Sequence, residues 1–201
     1  LELLKINPRH IHALNNLSVI YINQTRLFDA ENVILNLLNV SEGDANCFNH
    51  LAIIYMRTGR AEQALKLLEH ALSLDPFKIE TFFNLTSCLA SLSRNMEAFQ
   101  YALEAIKLDP TSSAAYNNLG TTLNNLTKFH EAQIAFETAH ELNPNNIEAL
   151  VNLGSLKVRF NSIHEAIVIF EKALKKLPKG AQSQEGVIKF LASFEYFKTG
   201  N

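Results

Sequence analysis

The sequence is short of the residues that build easily recognised reactive or metal-binding sites. It contains no tryptophan and two cysteines, Cys47 and Cys88. Two cysteines are too few for a disulfide framework or a cysteine-based metal site. Both fall on apolar helix faces, which predicts ordinary buried thiols. Cysteine usage of this kind favours a cytoplasmic location.

The sequence also lacks a strong charge of either sign and lacks long hydrophobic runs. Its net charge of −2 gives no basic field, so we expect no nucleic-acid partner. No apolar stretch approaches the roughly 18 residues that a membrane span requires, and no signal-peptide pattern is present. Hydrophobic residues make up 47% of the chain, enough for a substantial core. The chain begins at Leu1 and not at a methionine, which favours a longer parent protein.

Prolines are few, but they divide the chain at a constant spacing. They are Pro8, Pro76, Pro110, Pro144 and Pro178. The last four are 34 residues apart, and the first lies two such periods before the second. Proline cannot continue a helix, so each of these sites ends one helical unit. A fixed period of this length is typical of stacked supersecondary units.

The period defines one continuous array. Its complete repeats, numbered one to five, are 11–44, 45–78, 79–112, 113–146 and 147–180, with partial units at 1–10 and 181–201. Positions 4, 7, 8 and 11 of each repeat share one helical face, which predicts a first helix, helix A. Position seven is always leucine, and position eight is small: Ser18, Ala52, Thr86, Gly120 and Gly154.

A second helix, helix B, follows a short break in each repeat. We predict helices at about 11–24 and 27–41, recurring with the period. Position 20 is alanine throughout, at Ala30, Ala64, Ala98, Ala132 and Ala166. Recurrent alanine indicates a close approach of two backbones, and the small residue at position eight is the expected partner. The larger residue at position 24, for example Phe136, is expected to fill the gap between repeats.

This pattern resembles the tetratricopeptide repeat. A large apolar residue, leucine, a small residue and Tyr or Leu on helix A, then alanine and phenylalanine on helix B and a closing proline, recur in register over about 170 residues. The chain departs from the family pattern in lacking tryptophan at position four, in Lys157 at position eleven, and in a Ser41-Glu42-Gly43-Asp44 turn without proline. The resemblance implies an all-α, right-handed superhelical solenoid of antiparallel helix pairs, with the A helices lining its concave face.

The partial unit 181–201 is rich in aromatic residues and departs from the repeat pattern. Phe190, Phe194 and Phe197 lie on its predicted helix. This segment is either an aromatic cap or the place where a longer protein has been cut, and we favour the second. It is also a candidate surface for self-association.

No catalytic motif is present, so we expect this chain not to be an enzyme and to need no cofactor. There is no phosphate loop, no His-Glu-x-x-His and no nucleophile elbow. The seven histidines are scattered. His130 and His164 recur one period apart only because the repeat does, which does not indicate a metal or catalytic site.

Asparagine recurs where it is a poor helix former. The sixth residue of the repeats is Asn16, His50, Asn84, Asn118 and Asn152, and Asn15, Asn49 and Asn117 occupy the fifth position. Asparagine competes with the helix backbone, so its recurrence needs a reason. Three explanations remain open: inheritance by duplication, an amide that bridges adjacent A helices, or a clamp that faces a groove and pairs with a peptide backbone through one acceptor and two donors.

The sixth-position asparagines, taken together, form a ladder. This ladder is similar to the asparagine array of O-linked N-acetylglucosamine transferase, which holds the backbone of its substrate. That resemblance implies peptide contacts from Asn16, Asn84, Asn118 and Asn152, with His50 breaking the ladder. Further predicted groove residues are Asn15, Asn49, Asn117, Asn124, Arg57 and Arg159. Chaperone-binding members use basic residues at the second, fifth and sixth positions to clamp a carboxylate. No lysine or arginine occupies those positions here, which argues against that mode.

Three functions fit these observations. The first is a scaffold that holds an extended protein or peptide segment in its groove. The second is the substrate-recognition array of a larger enzyme, such as a glycosyltransferase. The third is a self-associating assembly scaffold.

Overall fold

A computed structural model describes residues 10–40 and 44–177 of the chain. Within those ranges it contains ten α-helices and no β-strand. The helices are α1 Ile11–Asn23, α2 Leu27–Val40, α3 Ala45–Arg57, α4 Ala61–Leu74, α5 Ile79–Ser91, α6 Asn95–Leu108, α7 Ser113–Asn125, α8 Phe129–Leu142, α9 Ile147–Arg159 and α10 Ile163–Lys176. Odd-numbered helices are the A helices and even-numbered ones the B helices. The predicted bounds are confirmed to within one residue.

Each A helix ends in the same backbone motif. In repeat four, Thr127 has φ of 60° and its N–H donates to the carbonyl of Asn124 at 3.0 Å. The N–H of Lys128 reaches back to the carbonyl of Leu123 at 2.9 Å. This pair of bonds is the Schellman motif, which satisfies carbonyls that have no partner within the helix. The break that separates helix A from helix B is therefore a defined turn.

The residue before each A helix supplies the N-cap. Side chains of His10, Asp44, Ser112 and Asn146 accept a hydrogen bond from the backbone N–H three residues later. Short polar acceptors at this place satisfy an N–H group that the helix leaves unpaired. The N-cap of α5 is Lys78, which makes no side-chain cap bond.

The chain divides into two compact units within α6: an N-terminal half, Leu1–Tyr101, and a C-terminal half, Ala102–Asn201. In the N-terminal half, α1 contacts α3 and α3 contacts α5, so successive A helices are neighbours. In the C-terminal half, α7 contacts α9 in the same way. Repeats one, two, four and five each pack their A helix on their own B helix.

Alanines of the B helices lie at the centre of the packing. All five residues at position 20 are fully buried: Ala30, Ala64, Ala98, Ala132 and Ala166. At position 27, Leu37, Ala71, Ala105, Ala139 and Ala173 are equally inaccessible. The burial of the alanines agrees with the sequence prediction, and their small side chains allow the helices to approach closely.

In repeats four and five the residue at position 24 covers the small residue at position eight. Phe136 and Phe170 each lie over the glycine at position eight of their own repeat, and Phe136 also lines a cavity with Asn152 and Leu156 of repeat five. A Cβ added to Gly120 would come within 2.6 Å of the Phe136 ring, and one on Gly154 within 2.6 Å of Phe170. Because a phenyl ring of the same repeat covers each of these positions, a side chain larger than that of glycine does not fit there without a shift of the ring.

The basic residue at position eleven of repeat five also has a structural explanation. Lys157 is 16% exposed at its side chain, and its Nζ lies 2.8 Å from a carboxylate oxygen of Glu165 on α10. Its aliphatic stem occupies the place of the usual apolar residue while its charge is paired.

Two expectations lie outside the described residues: the aromatic helix and its self-association at 181–201, and the turn at 41–43. Across 10–40 and 44–177, no helix is long and apolar enough to cross a membrane.

Candidate asparagine-lined binding site

The clearest polar feature of the N-terminal half joins two neighbouring A helices. Nδ2 of Asn84, on α5, donates to Oδ1 of Asn49, on α3, at 2.9 Å. Nδ2 of Asn49 donates in turn to the Ala45 carbonyl and to Oγ1 of Thr81, each at 2.8 Å. The fifth-position amide of one repeat is therefore bonded to the sixth-position amide of the next.

The C-terminal half repeats this arrangement. Nδ2 of Asn152, on α9, donates to Oδ1 of Asn117, on α7, at 3.0 Å. Here and in the N-terminal half the bonded residues are separated by 35 positions. We call each such combination an amide pair: Asn49–Asn84 and Asn117–Asn152. Bridging of adjacent A helices, one of the three explanations for the asparagines, is thus present in both pairs.

The two members of an amide pair differ in accessibility. Asn49 is 4% exposed and Asn117 is 5% exposed. Asn84 and Asn152 are half-buried. Each sixth-position amide uses one N–H in the pair, which leaves its second N–H and its Oδ1 for another partner. The fifth-position amides of Asn49 and Asn117 lie beneath, where they support the sixth-position amides and offer little surface to a ligand.

The equivalent position between repeats one and two is occupied by Asn15 and His50. Among the described residues, Oδ1 of Asn15 and Nδ1 of His50 are both buried without a hydrogen-bond partner. Burial lowers the pKa of His50 below its usual value; Asp44 opposes this shift and Lys78 adds to it. His50 is therefore mainly neutral at neutral pH.

The sixth-position asparagine of repeat four has no asparagine in the pairing position. For Asn118 the residue 35 positions earlier is Phe83. Asn118 is half-buried and Asn16 is exposed.

A cavity adjoins each amide pair. In the N-terminal half it measures about 390 Å³ and opens between α3 and α5. Its lining consists of Asn46, Asn49, His50, Ile53, Lys78, Glu80, Phe83 and Asn84. In the C-terminal half a smaller one of about 90 Å³ is lined by Thr121, Asn124, Phe136, Asn152, Ser155, Leu156 and Arg159. Asn84 and Asn152 thus each line a concave surface.

The structure gives the two predicted arginines different surroundings. Nη1 of Arg57 donates to the carbonyl of Ile22 at 2.9 Å and so caps the end of α1. Arg159 is exposed, with its guanidinium 4.7 Å from the centre of the Phe129 ring, and it lines the small cavity with Asn124. Oδ1 of Asn124 is buried and has no partner within the part of the chain that the structure describes.

Sequence reasoning missed Lys78, Ile53 and Phe83, which flank the larger cavity. Nζ of Lys78 lies 3.8 Å from a carboxylate oxygen of Glu80, which offsets its charge. Ile53 and Phe83 supply apolar wall. A signal for Lys78 was available, because it occupies the N-cap position at which four other repeats carry polar acceptors.

Several histidines make local contacts. His10 caps α1 through Nδ1, and the His130 ring stacks on Phe160 with centroids 5.1 Å apart. No group of three or more His, Cys, Asp or Glu residues suited to a metal ion occurs among residues 10–40 and 44–177.

Antiparallel helix pairs that recur with a constant period and stack through small residues define a helical-repeat protein. Three stretches, 45–77, 101–134 and 147–175, match family models described as tetratricopeptide repeat. The chain belongs to the tetratricopeptide repeat family. It is accordingly a protein-interaction scaffold in general terms, and repeats of this kind are typically non-catalytic.

Solved structures share this fold. TTC0263, a thermophilic tetratricopeptide protein of Thermus thermophilus, is 17% identical with a TM-score of 0.84, over 93% of this chain and 99% of that one. The pilF protein of Pseudomonas aeruginosa is 20% identical with a TM-score of 0.73, over 94% and 89%. YrrB, described as a tetratricopeptide protein with an unusual peptide-binding site, is 19% identical with a TM-score of 0.58, over 92% and 95%. At these identities the likeness concerns the fold alone. No curated protein matches the chain in sequence.

Proposed function

We propose that this chain binds an extended peptide segment through the sixth-position amides of its A helices. The observation that carries the proposal is the geometry of Asn84 and Asn152. Each is held by one N–H in an amide pair, retains an oxygen and a second N–H, and lines a cavity. A carboxamide with these free groups matches the C=O and N–H of one ligand residue.

The spacing of the repeats supports an extended ligand. Packed helices lie about 8–10 Å apart, and an extended chain advances about 3.3 Å per residue. Neighbouring A helices within one half therefore match about three ligand residues. Each amide–backbone bond contributes a net of roughly 0.5–1.5 kcal/mol. Such contacts read the ligand backbone, so we expect tolerance of ligand side chains.

A further point supports a peptide ligand. The fold resembles that of YrrB, a protein whose description includes a peptide-binding site.

We also propose that the chain acts in a reducing compartment such as the cytoplasm. Cys47 and Cys88 are free thiols, which suits a location where disulfides do not form.

The experiment that tests the proposal is selection from a random library of unstructured peptides, followed by affinity measurement on retained peptides. The change to alanine at Asn84, Asn118 and Asn152 together should weaken binding at least about tenfold, because several backbone bonds are lost. Helicity should hold, whereas the melting temperature should fall somewhat, because the buried Oδ1 atoms of Asn49 and Asn117 lose these donors.

A matched control removes the same chemistry elsewhere. Asn32, Asn36 and Asn39 are exposed on α2, a B helix, and their joint change to alanine should leave affinity unchanged. Peptides retained equally well by both triple variants would defeat the proposal.

A further inference from the structure

The buried fifth-position asparagines are hydrogen-bonded to the sixth-position asparagines of the proposed site. Asn49 and Asn117 are almost inaccessible, yet each places its oxygen within 3.0 Å of the amide nitrogen of a half-buried neighbour. We propose that Asn49 and Asn117 are positioning residues. Each fixes the carboxamide of Asn84 or Asn152 in the orientation that presents its free oxygen and N–H to the peptide. This inference rests on the proposed function.

The physical reason lies in the side-chain torsion of asparagine. Its terminal torsion is broad and roughly two-fold, so an unrestrained amide exchanges the places of its oxygen and nitrogen at low cost. A ligand that needs one orientation then loses affinity to the ordering of that side chain. A buried acceptor on the preceding repeat removes this freedom, because only the nitrogen can face it.

In the N-terminal half the buried acceptor is itself held in place. Both donations of the Asn49 amide, to the Ala45 carbonyl and to Thr81, come from its nitrogen, so its oxygen must face Asn84. The support is a chain of bonds that ends on a helix backbone.

Between repeats one and two, the position of the donor asparagine is occupied by histidine. Asn15 presents a buried, unpartnered oxygen among the described residues, and His50 stands where Asn84 and Asn152 stand in the complete pairs. Because His50 is the sixth-position residue, its change to asparagine places an N–H donor opposite Asn15. His50→Asn should therefore complete a third amide pair and add a contact to the peptide.

The experiment uses the full chain and a fluorescent peptide that the unmodified protein has retained from the random library. Asn117→Leu keeps the branching of the side chain and its number of heavy atoms and removes the acceptor; Asn117→Asp keeps an acceptor for Asn152. We expect Asn117→Leu to weaken peptide binding about threefold to tenfold, the worth of one hydrogen bond. Asn117→Asp should retain affinity wherever circular dichroism shows the protein folded.

A double-mutant cycle separates positioning from packing. If Asn117 acts through Asn152, Asn117→Leu has no further effect on peptide affinity once Asn152 is alanine. A purely structural role would lower the melting temperature in both backgrounds and leave affinity alone. In the N-terminal half, His50→Asn should tighten binding by a similar factor, and the gain should vanish in the Asn15→Leu background.

The outcomes distinguish the two proposals. If the unmodified protein retains no peptide, the proposed function fails, and side-chain amide NMR signals of Asn152 then decide the pairing by shifting, or not, in Asn117→Leu. If peptides bind but Asn117→Leu leaves affinity unchanged, or weakens it equally without Asn152, the positioning role is wrong. The absence of any gain from His50→Asn overturns it as well.

Discussion

The fifteenth residue of every repeat adopts a left-handed backbone conformation, although only one of the five is glycine. The residues and their φ angles are Thr25 58°, Gly59 77°, Ser93 60°, Thr127 60° and Asn161 58°. An L-residue with a Cβ in this region costs roughly 1–2 kcal/mol, and a β-branched residue is the least suited to it. The Schellman turn needs this conformation, so two repeats tolerate an unfavourable threonine in order to end helix A at the correct place.

The first prediction follows from that conflict. Thr127→Gly should raise the free energy of unfolding by about 0.5–1 kcal/mol, since the relief of backbone strain exceeds the added freedom of the unfolded chain. The measurement is the urea midpoint at an unchanged m-value.

The control is the reverse change at the equivalent place. A Cβ on Gly59 would meet no atom within 4 Å, so Gly59→Ala changes the backbone preference alone. It should destabilise the protein by about 1 kcal/mol. A destabilising Thr127→Gly would mean that the threonine side chain contributes something the turn geometry does not show.

The buried thiols predict a pH dependence. Burial raises the pKa of both Cys47 and Cys88 from 9.0 to about 11. Because the folded pKa is the higher one, the stabilisation from keeping these thiols neutral is complete below pH 9.0 and is lost as pH rises toward about 11. The repeat itself suggests replacements, since Ala115 and Thr122 occupy the equivalent positions.

We therefore expect the free energy of unfolding of Cys47→Ala/Cys88→Thr to fall less steeply across that alkaline window than that of the unmodified chain. Chemical denaturation at a series of pH values measures the difference, in which other alkaline titrations such as that of Tyr101 cancel. Identical slopes for the two proteins would show that the thiols are already solvated in the folded state.

At the scale of the helix, size complementarity between positions eight and 24 sets the packing within a repeat. Gly120 lies under Phe136 and Gly154 under Phe170. Repeat two instead combines Ala52 with Leu68, both fully buried in one core cluster. A larger residue on one helix is thus matched by a smaller one on the other.

A double substitution tests this relation. Gly120→Ala alone should cost roughly 1–3 kcal/mol, because its Cβ would lie 2.6 Å from the Phe136 ring. Gly120→Ala/Phe136→Leu installs the residues of repeat two and should recover most of that loss relative to Phe136→Leu alone. Thermal or urea unfolding of the four proteins in the cycle gives the coupling energy. Strictly additive effects would contradict the packing described here.

The helix bounds were predictable because they depend on local signals. Proline at a fixed period and apolar or small residues at positions 4, 7, 8 and 11 can be recognised without knowledge of tertiary contacts. The helices α1 to α10 begin and end within one residue of the bounds that these signals predict. The partner of Gly120 was not predictable in this way. Periodicity shows which positions are buried, but it does not show which neighbouring side chain covers them, so the position of the Phe136 ring over Gly120 did not follow from the sequence.

The candidate site was also predictable only in the features that depend on sequence period. The sixth-position asparagines were found from their period, and the helix-bridging alternative anticipated their bonds. What the sequence could not show is the direction of those bonds. Oxygen and nitrogen of an amide are equivalent in sequence, and the burial of Asn49 under an accessible Asn84 depends on how α3 and α5 pack. The burial of Oδ1 of Asn15 without a partner among the described residues likewise depends on how the helices pack, which the sequence does not show.

For the molecule as a whole, each half carries one complete amide pair and the chain has little net charge. There are 18 basic and 20 acidic residues, and Lys78, which lines the larger cavity, is paired with Glu80. Recognition by carboxamides does not require an ionic partner. The function proposed above therefore differs from a charge clamp in its response to salt.

The last prediction uses that difference. Exposed charges more than about 10 Å apart are screened at about 0.1 M salt, whereas neutral hydrogen bonds are nearly unaffected. We expect the dissociation constant of a retained, uncharged peptide to change less than about twofold between low salt and about 1 M sodium chloride. Lys78→Met should leave that response unchanged, because the lysine is held by Glu80 and is not needed for backbone contacts. Fluorescence anisotropy titrations at several salt concentrations provide the measurement. A tenfold weakening with salt that disappears in Lys78→Met would assign recognition to the lysine and remove it from the asparagines.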